Sequence, residues 1–230
     1  MTTPQKTLRW IEMLVLFLGG PTLLWQFPGI LGGSRLFLFL WIVGLLCGIG
    51  LFFDPKFDRT KLWNAKAVMP AMGWVIGRWL VCCMLLTGLF GLVAGRQLPG
   101  LSLDVPTGLF SIFHREELPW FLPLLITLFY PWVSVYPQNL LCRAFFCHRY
   151  RPILGGGWGL ILVNALAFSY IHVMFNNWIV LLLTFVGGII FTRTYLKSRS
   201  LLLATIEHAL YGLFCFYLGI GVFLLYGASG

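Results

Sequence analysis

Long apolar runs separated by short basic connections make up most of this chain, and they predict helices that cross a membrane. Residues 8–24, 36–53 and 74–94 are each apolar over a length that suits the hydrocarbon core, which takes about 20 residues at 1.5 Å of rise per residue. The first run follows Lys6 and Arg9, as a signal peptide would. No small-x-small cleavage site closes it, however, and Gly19, Gly20 and Pro21 interrupt it, so an uncleaved first helix is expected. Residues 95–118, with Gly95, Pro99, Gly100 and Pro106, read as an extramembrane loop with some short amphipathic helix. From Pro119 to Cys147 the chain is apolar again but broken by Pro131 and Pro137, which predicts either one kinked helix or a span followed by a second helix. Further runs at 156–175, 178–192 and 201–226 bring the count to seven spans, or eight if the broken segment crosses twice. The expectation is an all-α polytopic membrane protein, one transmembrane domain over 1–230, with a bundle of 7–8 helices around a polar intramembrane cavity.

Composition agrees: 59% of the residues are hydrophobic and 10% charged, too few polar side chains to cover a soluble domain of 230 residues. The net charge of +9 could suggest nucleic acid. The basic residues nevertheless sit in short clusters between apolar runs, the positive-inside pattern, which excludes a nucleic-acid partner and makes membrane lipid the surrounding medium. With the N-terminus on the cytoplasmic side, the inner connections hold Lys6, Arg9, Lys56, Arg59, Lys61, Lys66, Arg149, Arg151, Arg193, Lys197 and Arg199, against Arg35, Arg96 and Arg115 outside. The six cysteines, Cys47, Cys82, Cys83, Cys142, Cys147 and Cys215, lie in or against apolar runs without CxxC spacing and read as free buried thiols.

Against that background the polar residues inside apolar runs stand out. In 137–150, PQNLLCRAFFCHRY, Asn139 and Arg143 are four apart and share a helix face, with Gln138 beside them and His148, Arg149 and Arg151 closing the segment. A charge in hydrocarbon costs about 2.5–3.5 kcal/mol on insertion scales, so Arg143 is expected to face the protein interior with partners. In NALAFSYIHVMFNN, residues Asn164, Phe168, His172 and Asn176 recur every four positions, predicting a polar stripe on one helix. His208 lies in ATIEHALYG, beside Glu207 and four residues before Gly212. Two imidazoles on separate helices beside a third carrying Gln138, Asn139 and Arg143 is an arrangement from which metal or water sites are built. Glu207, the only carboxylate in the last three spans, is either paired with Arg143 or a neighbouring arginine, or serves as a base. Glu12 is expected at the interface or paired with a cation such as Arg78, which itself reads as a snorkelling residue. Glu116 and Glu117, just before Pro119, read as helix-capping or solvated acids.

At these residues the chain resembles the CAAX-protease and bacteriocin-processing family of intramembrane endopeptidases (CPBP, also called Abi), whose motifs are EExxxR, FxxxH and HxxxN or HxxxD. QNLLCR at 138–143 falls on the first, FSYIH from Phe168 to His172 satisfies the second, and His208 to Gly212 falls on the third, within a core of about 119–215. The resemblance implies a glutamate and two histidines that hold and deprotonate a water, with a divalent metal such as zinc bound by His172 and His208, for attack on a peptide carbonyl. In the family the arginine orients the glutamate. It implies further an integral protein of a bacterial inner membrane and a hydrophobic, lipidated or leader peptide as substrate. This chain departs from the pattern by carrying Gln138 and Asn139 in place of the glutamate pair and Gly212 in place of the last Asn or Asp. An amide accepts a hydrogen bond but takes no proton at neutral pH. The sequence therefore leaves two readings, an endopeptidase weakened by the loss of its base and a non-catalytic pseudoprotease that binds a membrane peptide or a partner membrane protein.

Overall fold

The computed structural model describes residues 2–31, 34–93 and 121–218. Within them the chain forms seven helical runs. These are α1 (Thr3–Gln26), α2 (Ser34–Phe53), α3 (Val68–Val93), α4 (122–154), α5 (Trp158–Ile171), α6 (Trp178–Ser198) and α7 (Leu201–Tyr217). Five segments are individually long and apolar enough to cross a membrane, namely Thr3–Gln26, Arg35–Phe53, Ala65–Leu89, Trp158–Phe175 and Trp178–Ser198. The exterior is apolar: Leu46, Phe53, Met84 and Leu85 are all well exposed, as lipid-facing side chains of an integral membrane protein must be. Glu116 and Glu117 lie outside the described residues.

The broken segment is one continuous run. Helix α4 passes through two π-turns, Pro131–Val135 and Leu140–Phe145, without leaving helical geometry, so the separate crossing that would make eight spans does not arise among the described residues. Proline at 131 and 137 removes two backbone donors, and widened turns are the usual accommodation. Other helices supply partners to the carbonyls of these turns. Trp41 Nε1 on α2 donates to the Val133 carbonyl at 3.0 Å, and the Cys142 carbonyl accepts from the Asn164 amide of α5.

Small residues set how closely the helices approach. A methyl on Gly44 would stand 3.2 Å from Pro137, and one on Gly48 would stand 3.1 Å from Leu140, so α2 lies directly against the π-turned part of α4. At the crossing of α5 and α6, a methyl on Gly188 would come within 2.7 Å of the Ala165 Cα. Helix α6 starts at Asn177, whose side chain accepts from the Ile179 and Val180 amides, and α7 starts at Ser200, whose hydroxyl accepts from the Leu203 amide.

The basic connections converge on one end of the bundle, as the charge pattern requires. Arg149 pairs with Glu12 through two hydrogen bonds of 2.9 and 2.7 Å, and Tyr150 adds a third at 3.1 Å. His148 meets Asp54 at 2.8 Å, and Arg199 meets Asp58 at 2.8 Å. Glu12 is therefore the partner of Arg149 and not of Arg78, because α1 packs against the end of α4 rather than against α3. Arg78 instead pairs with Glu207, its Nε donating to Oε1 at 3.1 Å, while its Nη2 donates to Thr194 Oγ1 at 2.7 Å. It does not snorkel, since a buried carboxylate lies within its reach.

Breaking this pair from one side should be costly and removing both sides should not. Glu207→Ala strands Arg78 and is expected to cost about 3 kcal/mol of stability, whereas Arg78→Met with Glu207→Leu should recover most of that loss. Thermal unfolding in detergent of the single and double variants measures the difference.

Candidate active site

Helices α4, α5, α6 and α7 bring the sequence-derived polar residues to one place, around the ring of Phe168. The Arg143 guanidinium lies 4.3 Å above that ring, and the His172 and His208 rings meet it edge-on with centroids at 4.9 and 5.4 Å. Phe168 is 1% exposed and Arg143 fully buried. FxxxH places the phenylalanine one helical turn below the first histidine, and here its ring touches the arginine and both imidazoles.

Among the described residues Arg143 has no carboxylate partner. Its Nη1 donates to Asn164 Oδ1 at 2.7 Å and to the Cys142 carbonyl at 3.4 Å, while Nε and Nη2 lack hydrogen-bond partners. Asn164 Oδ1 also accepts from Thr192 Oγ1 at 2.6 Å. Thr192 reaches it because Gly188, one turn earlier on the same face of α6, lets that helix approach α5 so closely. The sequence placed Asn164 on the stripe but gave no sign of Thr192.

The imidazoles are held in one tautomer each. His172 Nδ1 lies 2.7 Å from the Phe168 carbonyl, which can only accept, so Nδ1 carries the proton and Nε2 keeps its lone pair. His208 Nδ1 lies 3.3 Å from Asn139 Oδ1, with Asn139 Nδ2 donating to Thr205 Oγ1 at 3.2 Å, and with the amide so oriented Nδ1 of His208 donates and its Nε2 keeps the lone pair. Phe191 stacks on the His208 ring at 4.5 Å. Gln138 Nε2 donates to Ser134 Oγ at 2.9 Å, and its Oε1 is buried without a partner.

Two of the sequence-derived residues lie apart from this group. Asn176 is exposed and left-handed, φ 48°, because α5 ends at Ile171 and a 3₁₀ turn over His172–Phe175 replaces the fourth step of the stripe. Glu207 adjoins His208 in sequence but points about a quarter-turn away on α7, where Thr194 and Arg78 hold it. Its pairing with an arginine is observed, but the arginine is Arg78 rather than Arg143, and that engagement removes it as a base for the histidines.

Gln138, Phe168, His172, His208 and Gly212 line one cavity of about 920 Å³. Its walls are mostly Leu, Phe, Ile and Val. They include Phe37, Leu85 and Leu89, which are exposed on the lipid-facing exterior, so the cavity opens sideways toward lipid. At Gly212 the space of a side chain is taken: a methyl there would come within 2.1 Å of the Tyr130 hydroxyl. Tyr130 and Ser134 line the cavity as well. The sequence reading passed over both, although 130, 134 and 138 stand at four-residue spacing.

A zinc ion does not fit these residues. No group of three His, Cys, Asp or Glu side chains that could hold a metal exists among the described residues, and two neutral imidazoles fall short of the three protein ligands of a catalytic zinc.

The Arg143 network should be sensitive to the loss of its one side-chain acceptor. Asn164→Leu is expected to cost about 2–4 kcal/mol, because the buried cation then keeps only the Cys142 carbonyl, whereas Asn164→Asp should retain the fold. Chemical or thermal unfolding in detergent reads both.

Comparison with known proteins adds the lineage. Residues 119–214 match the family described as Type II CAAX prenyl endopeptidase Rce1-like. No curated protein and no solved structure matches the chain. The matched segment spans α4 to α7 and contains all the motif residues gathered around Phe168. Over residues 119–214, then, the chain is similar to the Type II CAAX prenyl endopeptidase Rce1-like family, and this is the part in which the motif residues lie.

Proposed function

We propose that this protein receives a hydrophobic, lipidated or leader-type peptide in its intramembrane cavity and holds it without efficient hydrolysis, as a pseudoprotease of the CAAX type in a bacterial inner membrane. The observation that carries this reading is the absence of a carboxylate beside the two imidazoles among the described residues. Asn139 stands where the family has a glutamate, and Glu207 is engaged by Arg78 and Thr194. Hydrolysis of a peptide needs a group that takes a proton from water as it adds to the carbonyl. The Asn139 amide cannot do so, and losing a general base costs roughly 10²–10⁴-fold in rate. What the residues still offer is recognition. The apolar walls suit a lipid chain or apolar side chains, and the lateral opening admits a ligand from the bilayer.

One observation favours a weakened peptidase as the second reading. His172 and His208 each present an unprotonated Nε2, and either imidazole could accept a proton from a water held between them. In that mechanism Phe168 and Asn139 orient the rings and the dry walls exclude competing water.

Replacing the amide decides between them. The purified full chain, His172→Ala and Asn139→Glu are assayed for cleavage of a farnesylated peptide and of a leader-type peptide in detergent. The expected outcome is binding without measurable cleavage by the native chain and gain of cleavage, about 10²-fold or more over background, in Asn139→Glu. Cleavage by the native chain that disappears in His172→Ala establishes the weakened enzyme instead. Metal analysis of the same preparations should find zinc well below one ion per chain.

A further inference from the structure

On the proposed reading of the cavity as a peptide site, we infer that Tyr130 and Gln138 recognise the backbone of the bound peptide, the Tyr130 hydroxyl donating to a peptide carbonyl and Gln138 Oε1 accepting from a peptide N–H. The inference starts from Gly212. At the family's last motif position this chain has no side chain, and the Tyr130 phenol fills the space so completely that a methyl on Gly212 would meet its hydroxyl at 2.1 Å and its ring at 2.7 Å. Gly212 is one turn from His208 on the same face of α7, so the phenol comes to rest next to the second imidazole along the cavity wall. A hydroxyl there restores a polar group on the wall from a different helix.

The second group lies on the same helix as the first. Tyr130, Ser134 and Gln138 follow one another along α4 at four-residue intervals, and all three line the cavity. The first π-turn begins directly after Tyr130 and keeps the three on the cavity side. Ser134 accepts from Gln138 Nε2 at 2.9 Å, and with the amide so oriented Oε1 is buried without a partner among the described residues. A buried carbonyl oxygen without a partner is costly unless a ligand completes it. Donor and acceptor on one stripe of an otherwise apolar wall match the two polar ends of a peptide group, and a lipid chain alone offers neither.

Ring contacts hold Tyr130 in place independently of any ligand. Phe216, one turn beyond Gly212 on α7, meets the Tyr130 ring edge-on at 5.2 Å. Removing the hydroxyl while keeping the ring therefore leaves the packing intact, and Tyr130→Phe reports on the hydrogen bond alone.

The test uses the full chain in detergent with two fluorescent probes, a farnesylated tetrapeptide and farnesol carrying the same dye. Tyr130→Phe and Gln138→Leu should each weaken peptide binding roughly fivefold to tenfold, the range of one hydrogen bond, and leave farnesol binding unchanged. Gly212→Ala, which pushes the phenol out of its place, should reproduce the Tyr130→Phe result. Circular dichroism and thermal unfolding identify any variant that fails to fold, and the remaining variants then carry the comparison. If the native chain binds the peptide and both Tyr130→Phe and Gln138→Leu bind it equally well, the backbone-recognition role is overturned while the peptide site stands. If the native chain binds neither probe, the peptide-site reading itself is overturned and this inference with it.

Discussion

A guanidinium that is fully buried and has no carboxylate beside it is the constraint on which the rest of this bundle depends. Taking Arg143 out of water is unfavourable by several kcal/mol, and among the described residues neutral groups offset it: the Asn164 amide oxygen, the Cys142 carbonyl and the faces of Phe168 and Phe191. Each of these partners imposes a condition on a different helix. Asn164 has to point at α4 and so fixes the rotation of α5. The Cys142 carbonyl turns toward both side chains from within a π-turn. Phe168, under the guanidinium, is also the ring against which both imidazoles pack edge-on. The close crossing of α5 and α6 at Gly188 completes the arrangement, because Thr192 cannot reach Asn164 otherwise.

The same electrostatics explain why the two arginines inside the bundle behave differently. Arg78 meets a carboxylate and, with Thr194, forms a neutral cluster that locks α3 to α6 and α7. Arg143 meets only dipoles, so its site carries a net positive charge next to the cavity. A glutamate at 139 would stand four residues before Arg143 on the same helix, the spacing at which oppositely charged side chains attract. It would compete with Asn164 for the guanidinium. With an amide at 139 that competition is absent, and Asn139 turns to Thr205 and His208 instead.

Which parts of this were legible in the sequence follows from what spacing can encode. Helical periodicity identifies residues on one face, and it grouped Asn139 with Arg143 and Asn164 with Phe168 and His172. It does not say which helix that face meets, so the partner of Glu207 was left between several arginines and the partner of Glu12 was misassigned. Periodicity also assumes an uninterrupted helix. It failed at Asn176, where a 3₁₀ turn and a left-handed residue end the stripe. In α4 the π-turns alter the residues per turn, and the prolines that cause them looked equally like breaks between two spans. Tyr130 and Thr192 escaped notice for a further reason. Neither residue type is conspicuous in an apolar run, and both acquire their roles from glycines elsewhere, Gly212 and Gly188, whose missing side chains make room for them.

This last point bears on how a site can lose one capacity and keep another. Proton transfer in such a cavity depends on a group placed beside the reacting water, and exchanging a carboxylate base for an amide of similar shape costs roughly 10²–10⁴-fold in rate. Recognition is distributed over apolar walls, ring faces and hydrogen-bonding groups contributed by several helices, and no single exchange removes it. Gly212 and Tyr130 illustrate the difference. A motif position emptied on α7 is refilled by a hydroxyl from α4, because a polar group on that wall can come from any helix that reaches it. A base has no such freedom: it must lie at hydrogen-bonding distance from the water it deprotonates. A cavity of this kind therefore tolerates exchanges among groups that line its walls more readily than exchange of a group that takes a proton.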